Sequence, residues 1–178
     1  MSRAARLLLA AALLLAPAAA LRSSAEEEES VPIQRYLESL RLGDYLKEVQ
    51  LVYPPVREWP SYREPGGSIT KFHVERAYAK YMPYEVDVIR LGMRWGRLVH
   101  LQIVYSDKYA REKPLEKLVV DLSLIYGEPI RRGMVYSWQD GRTLLRAFNE
   151  EMPSPDGRAI EMRTSLEIMD RDVRKRVD

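Results

Sequence analysis

The chain has 178 residues, 30% of them charged and 46% hydrophobic, which suits one ordinary globular domain and requires no second. Its 28 basic and 26 acidic residues include Arg3, Arg6 and Arg22 near the N-terminus, and loss of these turns the net charge from +2 to −1. The pI of about 8.8 is therefore no argument for nucleic acid, which wants a concentrated basic face, and the absence of cysteine excludes disulfides, a lipidated cysteine and thiolate metal ligands.

Arg3 and Arg6 precede an apolar run from Leu7 to Ala16, followed by Pro17 and the small residues Ala18, Ala19 and Ala20. This order predicts a secretory signal peptide over residues 1–25, cut after Ala20 or Ala25. The run is shorter than the roughly 20 residues that span a bilayer, so no stable membrane insertion is expected after cleavage. A periplasmic or secreted protein is, and cysteine-free export fits a bacterial cell envelope. Residues 26–32, with the run Glu26 to Glu29, read as an acidic, disordered leader. Residues 33–169 read as a single α+β domain, and 170–178 as a charged tail that frays.

From Ile33 to Leu42 the apolar positions Ile33, Tyr36, Leu37 and Leu40 keep helical spacing, and Gly43 ends the segment. Asp44 is placed to N-cap a second helix whose apolar face carries Tyr45, Leu46, Val49, Val52 and Tyr53, with Pro54 and Pro55 as its stop. Pro54 to Ser68, rich in Pro and Gly, predicts a long loop bearing Trp59 and Tyr62. From Ile69 to Ala79, Phe72, Val74 and Tyr78 alternate with Lys71, His73 and Glu75, as in an amphipathic strand.

Pro83 to Asp107 is the centre of the pattern. Ile89, Leu91 and Met93 alternate before Trp95-Gly96, and Val99, Leu101, Ile103 and Tyr105 alternate after it. A two-residue loop would put these sets on opposite faces. A three-residue loop, Arg94-Trp95-Gly96, pairs Leu91 with Val99 and Ile89 with Leu101, leaving a polar face with Arg90, Arg94, His100 and Gln102. Pro114 then opens a helix in which Leu115, Leu118, Val119, Leu122, Ile125 and Tyr126 face inward, Leu118 and Leu122 against Leu101 and Ile103, until Gly127 and Pro129 close it. A hairpin over 134–148 turns at Gln139-Asp140-Gly141, its buried face undetermined. Ile160, Met162, Thr164, Leu166 and Ile168 predict a half-buried strand.

The two halves, 44–107 and 112–169, share an order: a helix, a Tyr and Pro stop, then three antiparallel strands. Such a unit buries too little alone, so an antiparallel sheet with helices on one face, built from two tandem units, is expected. The segment Leu40-Arg41-Leu42-Gly43-Asp44-Tyr45-Leu46-Lys47-Glu48-Val49 resembles the opening of small bacterial envelope modules of the SmpA/OmlA type, without their lipoprotein cysteine. The doubled helix-plus-sheet order is similar to the β-lactamase inhibitor protein fold. Both resemblances imply a binding or assembly role without chemistry.

No G-x-S-x-G, H-E-x-x-H, Walker or dinucleotide motif is present. Zinc would need His73 and His100 with carboxylates, and both histidines read as ordinary residues of polar strand faces. Glu85 and Asp87 read as solvated carboxylates, and Trp138-Gln139-Asp140-Gly141 as turn chemistry. No catalytic, cofactor-binding or metal-binding residue is assigned. Eleven tyrosines and three tryptophans supply rings of the kind enriched at interfaces. The expected function is non-catalytic binding of an envelope protein through the polar sheet face or the Pro54 to Ser68 loop, with Trp59, Tyr62, Arg94 and Trp95 as candidate contacts. The alternatives are a binder of a small molecule, glycan or lipid, for which Arg90, Arg94, Arg97 and Arg142 beside Trp95 would form a basic aromatic patch, and a hydrolytic enzyme without a recognisable motif.

Overall fold

The computed structural model describes residues 31–154 and 157–174. The predicted signal peptide, most of the acidic leader and the end of the charged tail lie outside the described residues. The elements are β1 (Tyr36–Leu37), β2 (Leu40–Arg41), α1 (Leu46–Val52), β3 (Ser61–Arg63), β4 (Ile69–Glu75), β5 (Val86–Arg94), β6 (Arg97–Tyr105), α2 (Asp107–Glu112), α3 (Leu115–Tyr126), β7 (Ile130–Arg132), β8 (Val135–Gln139), β9 (Thr143–Pro153), β10 (Ile160–Asp170) and α4 (Arg171–Arg174).

The fold is α+β. Eight strands form one antiparallel sheet in the order β3-β4-β5-β6-β10-β9-β8-β7, and β1 pairs with β2 apart from it. Each half of the chain runs from a helix into four strands, one more than the three expected, because the short edge strands β3 and β7 precede the predicted ones. The last strands of the two halves, β6 and β10, pair at the centre. The sheet therefore reads first, second, third, fourth from either edge, a pseudo-two-fold arrangement.

One face of the sheet carries the core. Leu91, Leu101, Ile103, Leu145, Ala147 and Ile168 meet Val49 and Tyr53 of the α1 segment and Leu115 and Leu118 of α3 there. Leu118 joins the same cluster as Leu101 and Ile103, as expected, whereas Leu122 is half-buried and Ile125 exposed, and α3 lies nearest β9. In the 134–148 hairpin Trp138, Leu145 and Ala147 take the core side. β10 is buried on both faces, with Arg163, Ser165 and Glu167 as well covered as Thr164, Leu166 and Ile168, where a half-buried strand was expected.

Residues 33–42 are not a helix. Leu37 pairs with Leu40 around Glu38 and Ser39, both left-handed at φ 46° and 67°, and a spacing of one and four residues suits such a hairpin as well as a helical turn. α1 begins one residue later than expected. Tyr45 precedes it, its N–H donating to Glu48 Oε2, while Asp44 Oδ2 accepts from Arg41 N.

The central hairpin keeps its predicted apolar face but not its predicted loop. Arg94 pairs with Arg97 around a two-residue turn, Trp95-Gly96, with φ of 52° and 77°, the backbone that suits the right-handed twist of the strands. Met93 pairs with Leu98 and Gly92 with His100, so Val99 is left over as a bulge. That one extra residue shifts the register and brings Leu91 opposite Leu101 and Ile89 opposite Ile103. The shift needed to put both apolar sets on one face is thus made within the strand and not in the turn.

Candidate functional site

The face of the sheet opposite α1 and α3 carries a straight row of polar residues. His73 of β4 lies opposite Arg90 of β5, Arg90 opposite Gln102 of β6, Gln102 opposite Glu167 of β10, Glu167 opposite Arg146 of β9 and Arg146 opposite Ser137 of β8. Strands present alternate residues to one face, so the row follows directly from the registers. It is also pseudo-symmetric about its middle: Arg90 flanks Gln102 as Arg146 flanks Glu167.

The row is interlocked. Glu167 accepts from Arg146, and its Oε1 lies 2.5 Å from His100 Nε2. Arg90 forms an ion pair with Glu150 of β9, two strands beyond β6, so the two side chains meet over β6 and β10. Under them Gln102 Nε2 donates to Glu150 and, at 2.9 Å, to Ser165 Oγ, whose hydroxyl donates to Ile103 O at 3.0 Å. This roof explains how Gln102 is only 6% exposed and Glu167 only 4% exposed on the face opposite α1 and α3. Burial alone would raise the Glu167 carboxyl; the hydrogen bond and charge of His100, with the charge of Arg146, outweigh it and hold the group below the usual range.

A furrow of about 420 Å³ opens beside the first half of the row, lined by Tyr62, Lys71, His73, Arg90, His100 and Gln102 among others. Gly92 lies next to it, opposite His100. A Cβ there would come within 2.9 Å of His100 Cβ and 3.3 Å of Ile69 Cγ2. Gly92→Ala should therefore lower stability by about 1–3 kcal/mol, read from urea unfolding, and shift the His100 imidazole resonances. A loss within about 0.5 kcal/mol, the usual scale for an unconstrained surface site, would mean that the glycine is not needed for space.

The predicted contact residues fall in three environments. Trp59 is 4% exposed: its indole N–H donates to Tyr78 O at 3.2 Å, and the ring meets Phe72 edge-on. It is core, and offers no surface. Tyr62 is 58% exposed on β3, where a structureless loop was expected, and lines the furrow. Trp95 is 76% exposed at the hairpin tip with the Arg94 guanidinium 4.3 Å from its ring centroid. Arg97 stacks separately on Tyr45, so no single patch of arginines forms around Trp95. His73 and His100 do lie on the polar face, each beside a carboxylate, Glu75 and Glu167.

Sequence reading missed Glu150, Arg146 and Ser165, whose partners are non-local. It also missed Arg163, a buried cation on β10 held by Glu161 at 2.5 Å with Asp107 and Asp87 further off. The Trp138 to Gly141 stretch is structural: Asp140 accepts from the N–H groups of Arg142, Thr143 and Ile33. Among the described residues no group of three or more His, Asp or Glu side chains is placed to hold a metal ion, and no helix is long and apolar enough to cross a membrane. No family model matches the chain, and no curated protein or solved structure is significantly similar to it.

Proposed function

We propose that the chain is a non-catalytic binding protein that docks a protein partner on the open face of its sheet. The observation that carries this reading is the interlocked polar row across six strands on the face opposite α1 and α3. Fixed ion pairs at an interface give orientation and partner choice more than raw affinity, and they need no rearrangement on docking. Tyr62 and Trp95 add exposed rings at the rim, the side-chain type that dominates binding hot spots. The apparent signal peptide puts the encounter in the cell envelope or outside the cell, and the resemblance to the β-lactamase inhibitor fold points the same way.

The test is capture from an envelope extract by immobilised protein spanning residues 26–178. The double variant Tyr62→Ala/Trp95→Ala should lose the captured protein while keeping its thermal midpoint. Leu124→Ala, exposed on α3 in the opposite layer, should keep it. If the α3 variant loses capture and the open-face variant does not, docking belongs to the helical layer and the reading is wrong.

A further inference from the structure

We propose that the furrow beside β3 to β6 is a binding site for an organic acid, a carboxylate carried on a flat apolar body. The site stands independently of protein docking, since a small acid would occupy it whether or not a partner covers the face. Its volume of about 420 Å³ lies within the range of roughly 300–1,000 Å³ typical of small-ligand pockets. Its apolar wall is Tyr62 with Pro60, while Phe72 and Leu91 border it but turn their side chains to the core face, and the remaining side chains of note are Lys71, His73, Arg90 and His100.

The distribution of charge is one-sided. Four groups able to carry positive charge line the furrow and no carboxylate does. Each has its acid, Glu64 for Lys71, Glu75 for His73, Glu150 for Arg90 and Glu167 for His100, but all four acids stand outside the lining. They fix the four side-chain heads without filling the space. Arg90 has five N–H donors, and Glu150, Gln102 and the Met152 sulfur account for three hydrogen bonds, which leaves donors for a ligand carboxylate.

Two backbone features converge on the same place. The Val99 bulge sets the position of His100, and Gly92 lies directly opposite it. Bulges re-aim side chains next to sites, and a glycine inside a strand marks close approach. The second half of the chain repeats the arrangement only in part, in a smaller furrow of about 280 Å³ lined by Arg132, Ser137 and Arg146 among others. With Gln102 and Glu167 as equivalents, the pair Gly92 and His100 corresponds to Phe148 and Ser165, and the pair His73 and Arg90 to Ser137 and Arg146. Phe148 stands where the first half has Gly92, and both histidines become serines. What departs from the internal symmetry is thus the larger volume of the first furrow and its two histidines, which the smaller one lacks.

The experiment is a heteronuclear NMR titration of the protein spanning residues 26–178 with 3-phenylpropanoate and, in parallel, its neutral analogue 3-phenylpropan-1-ol. The acid should give saturable shifts centred on Tyr62, His73 and His100 and bind at least about tenfold more tightly than the alcohol, the scale of one charge-assisted hydrogen bond. Arg90→Gln should weaken the acid about tenfold on the same scale and leave the alcohol unchanged. Because Arg90 also holds Glu150, Lys71→Gln at a solvent-exposed pair serves as a second variant, with a loss of about two- to threefold. A third arm uses the peptide acetyl-Asp-Phe-amide: tighter binding than the free acid identifies the carboxylate as a side chain of a partner, weaker binding identifies it as a small metabolite, and either supports a carboxylate site. Equal binding of acid and alcohol, shifts centred elsewhere, absence of saturation, or indifference of the acid to both variants would overturn the proposal.

Discussion

Replacing Trp59 with alanine should lower the unfolding free energy by about 3–5 kcal/mol. Its ring is buried against Phe72, and its indole N–H is one of two donors to the Tyr78 carbonyl, the other being Val56 N–H at 3.1 Å, so truncation opens a large void and removes one of the two hydrogen bonds. Tyr62→Ala, three residues on and mostly exposed, should change stability by less than about 0.5 kcal/mol. Urea unfolding of the two single variants separates the roles. A small loss at Trp59 would place that ring outside the core after all, and would restore the whole proline-rich connection as a contact surface.

The second large effect is expected at Glu167. Its carboxylate is the shared partner of His100 and Arg146, and removing it strands the Arg146 cation and leaves the His100 ring without its partner. Both retain some access to water, so Glu167→Ala should cost about 2–4 kcal/mol, somewhat less than loss of one member of a fully buried pair. The pH dependence follows from the direction of the shift. The folded carboxyl is held below its ordinary value, so on acidification the unfolded chain takes up the proton first. The stabilisation is complete above the unfolded value of about 4.3 and is lost as pH falls through the folded value. The wild type should lose its advantage over Glu167→Gln across that acid window and hold it at neutral pH. An advantage that stayed constant down to pH 2 would show that the carboxylate charge contributes nothing.

Much of the sheet is legible in the sequence because one of its faces is dry. Ile89, Leu91, Leu101 and Ile103 alternate strictly, and any register error would expose all of them. α3 is legible because Leu115 and Leu118 recur at helical spacing between a proline and a glycine. The elements that escaped are those with less than one period to show. β3 and β7 have three residues each, and α2 buries none of its six. The hairpin at 36–41 escaped because Glu38 and Ser39 adopt positive φ, which is uncommon for such residues.

At the candidate site the asymmetry is of another kind. That Arg90, His100 and Gln102 share a polar face follows from alternation within one hairpin. Their ties to Glu150, Glu167 and Ser165 require that β6 lie beside β10, a pairing some 60 residues apart along the chain. Alternation says which way a side chain points, but carries no information about which distant strand lies next to it. The Val99 bulge is hidden for a related reason: the total shift is dictated by the apolar sets, while its location in turn or strand is decided by the twist of the hairpin.

The segment before α1 closes a circuit between the two halves. Ile33 N–H donates to Asp140 at 2.7 Å, and Arg35 binds Thr143 Oγ1 at 3.1 Å and Asp170 at 3.0 Å, so the start of the first half rests on the last strands of the second. The entry to the domain and the exit from β10 are therefore neighbours in space, whereas the link between the halves, Lys113-Pro114 between α2 and α3, is a short stretch of irregular chain. A circular permutant that joins residue 174 to residue 31 through a short flexible linker and opens the chain after Glu112 would reverse the order of the two halves while leaving every strand pairing in place. The domain is, in topological terms, a ring of two units, with its break at one of two nearly equivalent positions.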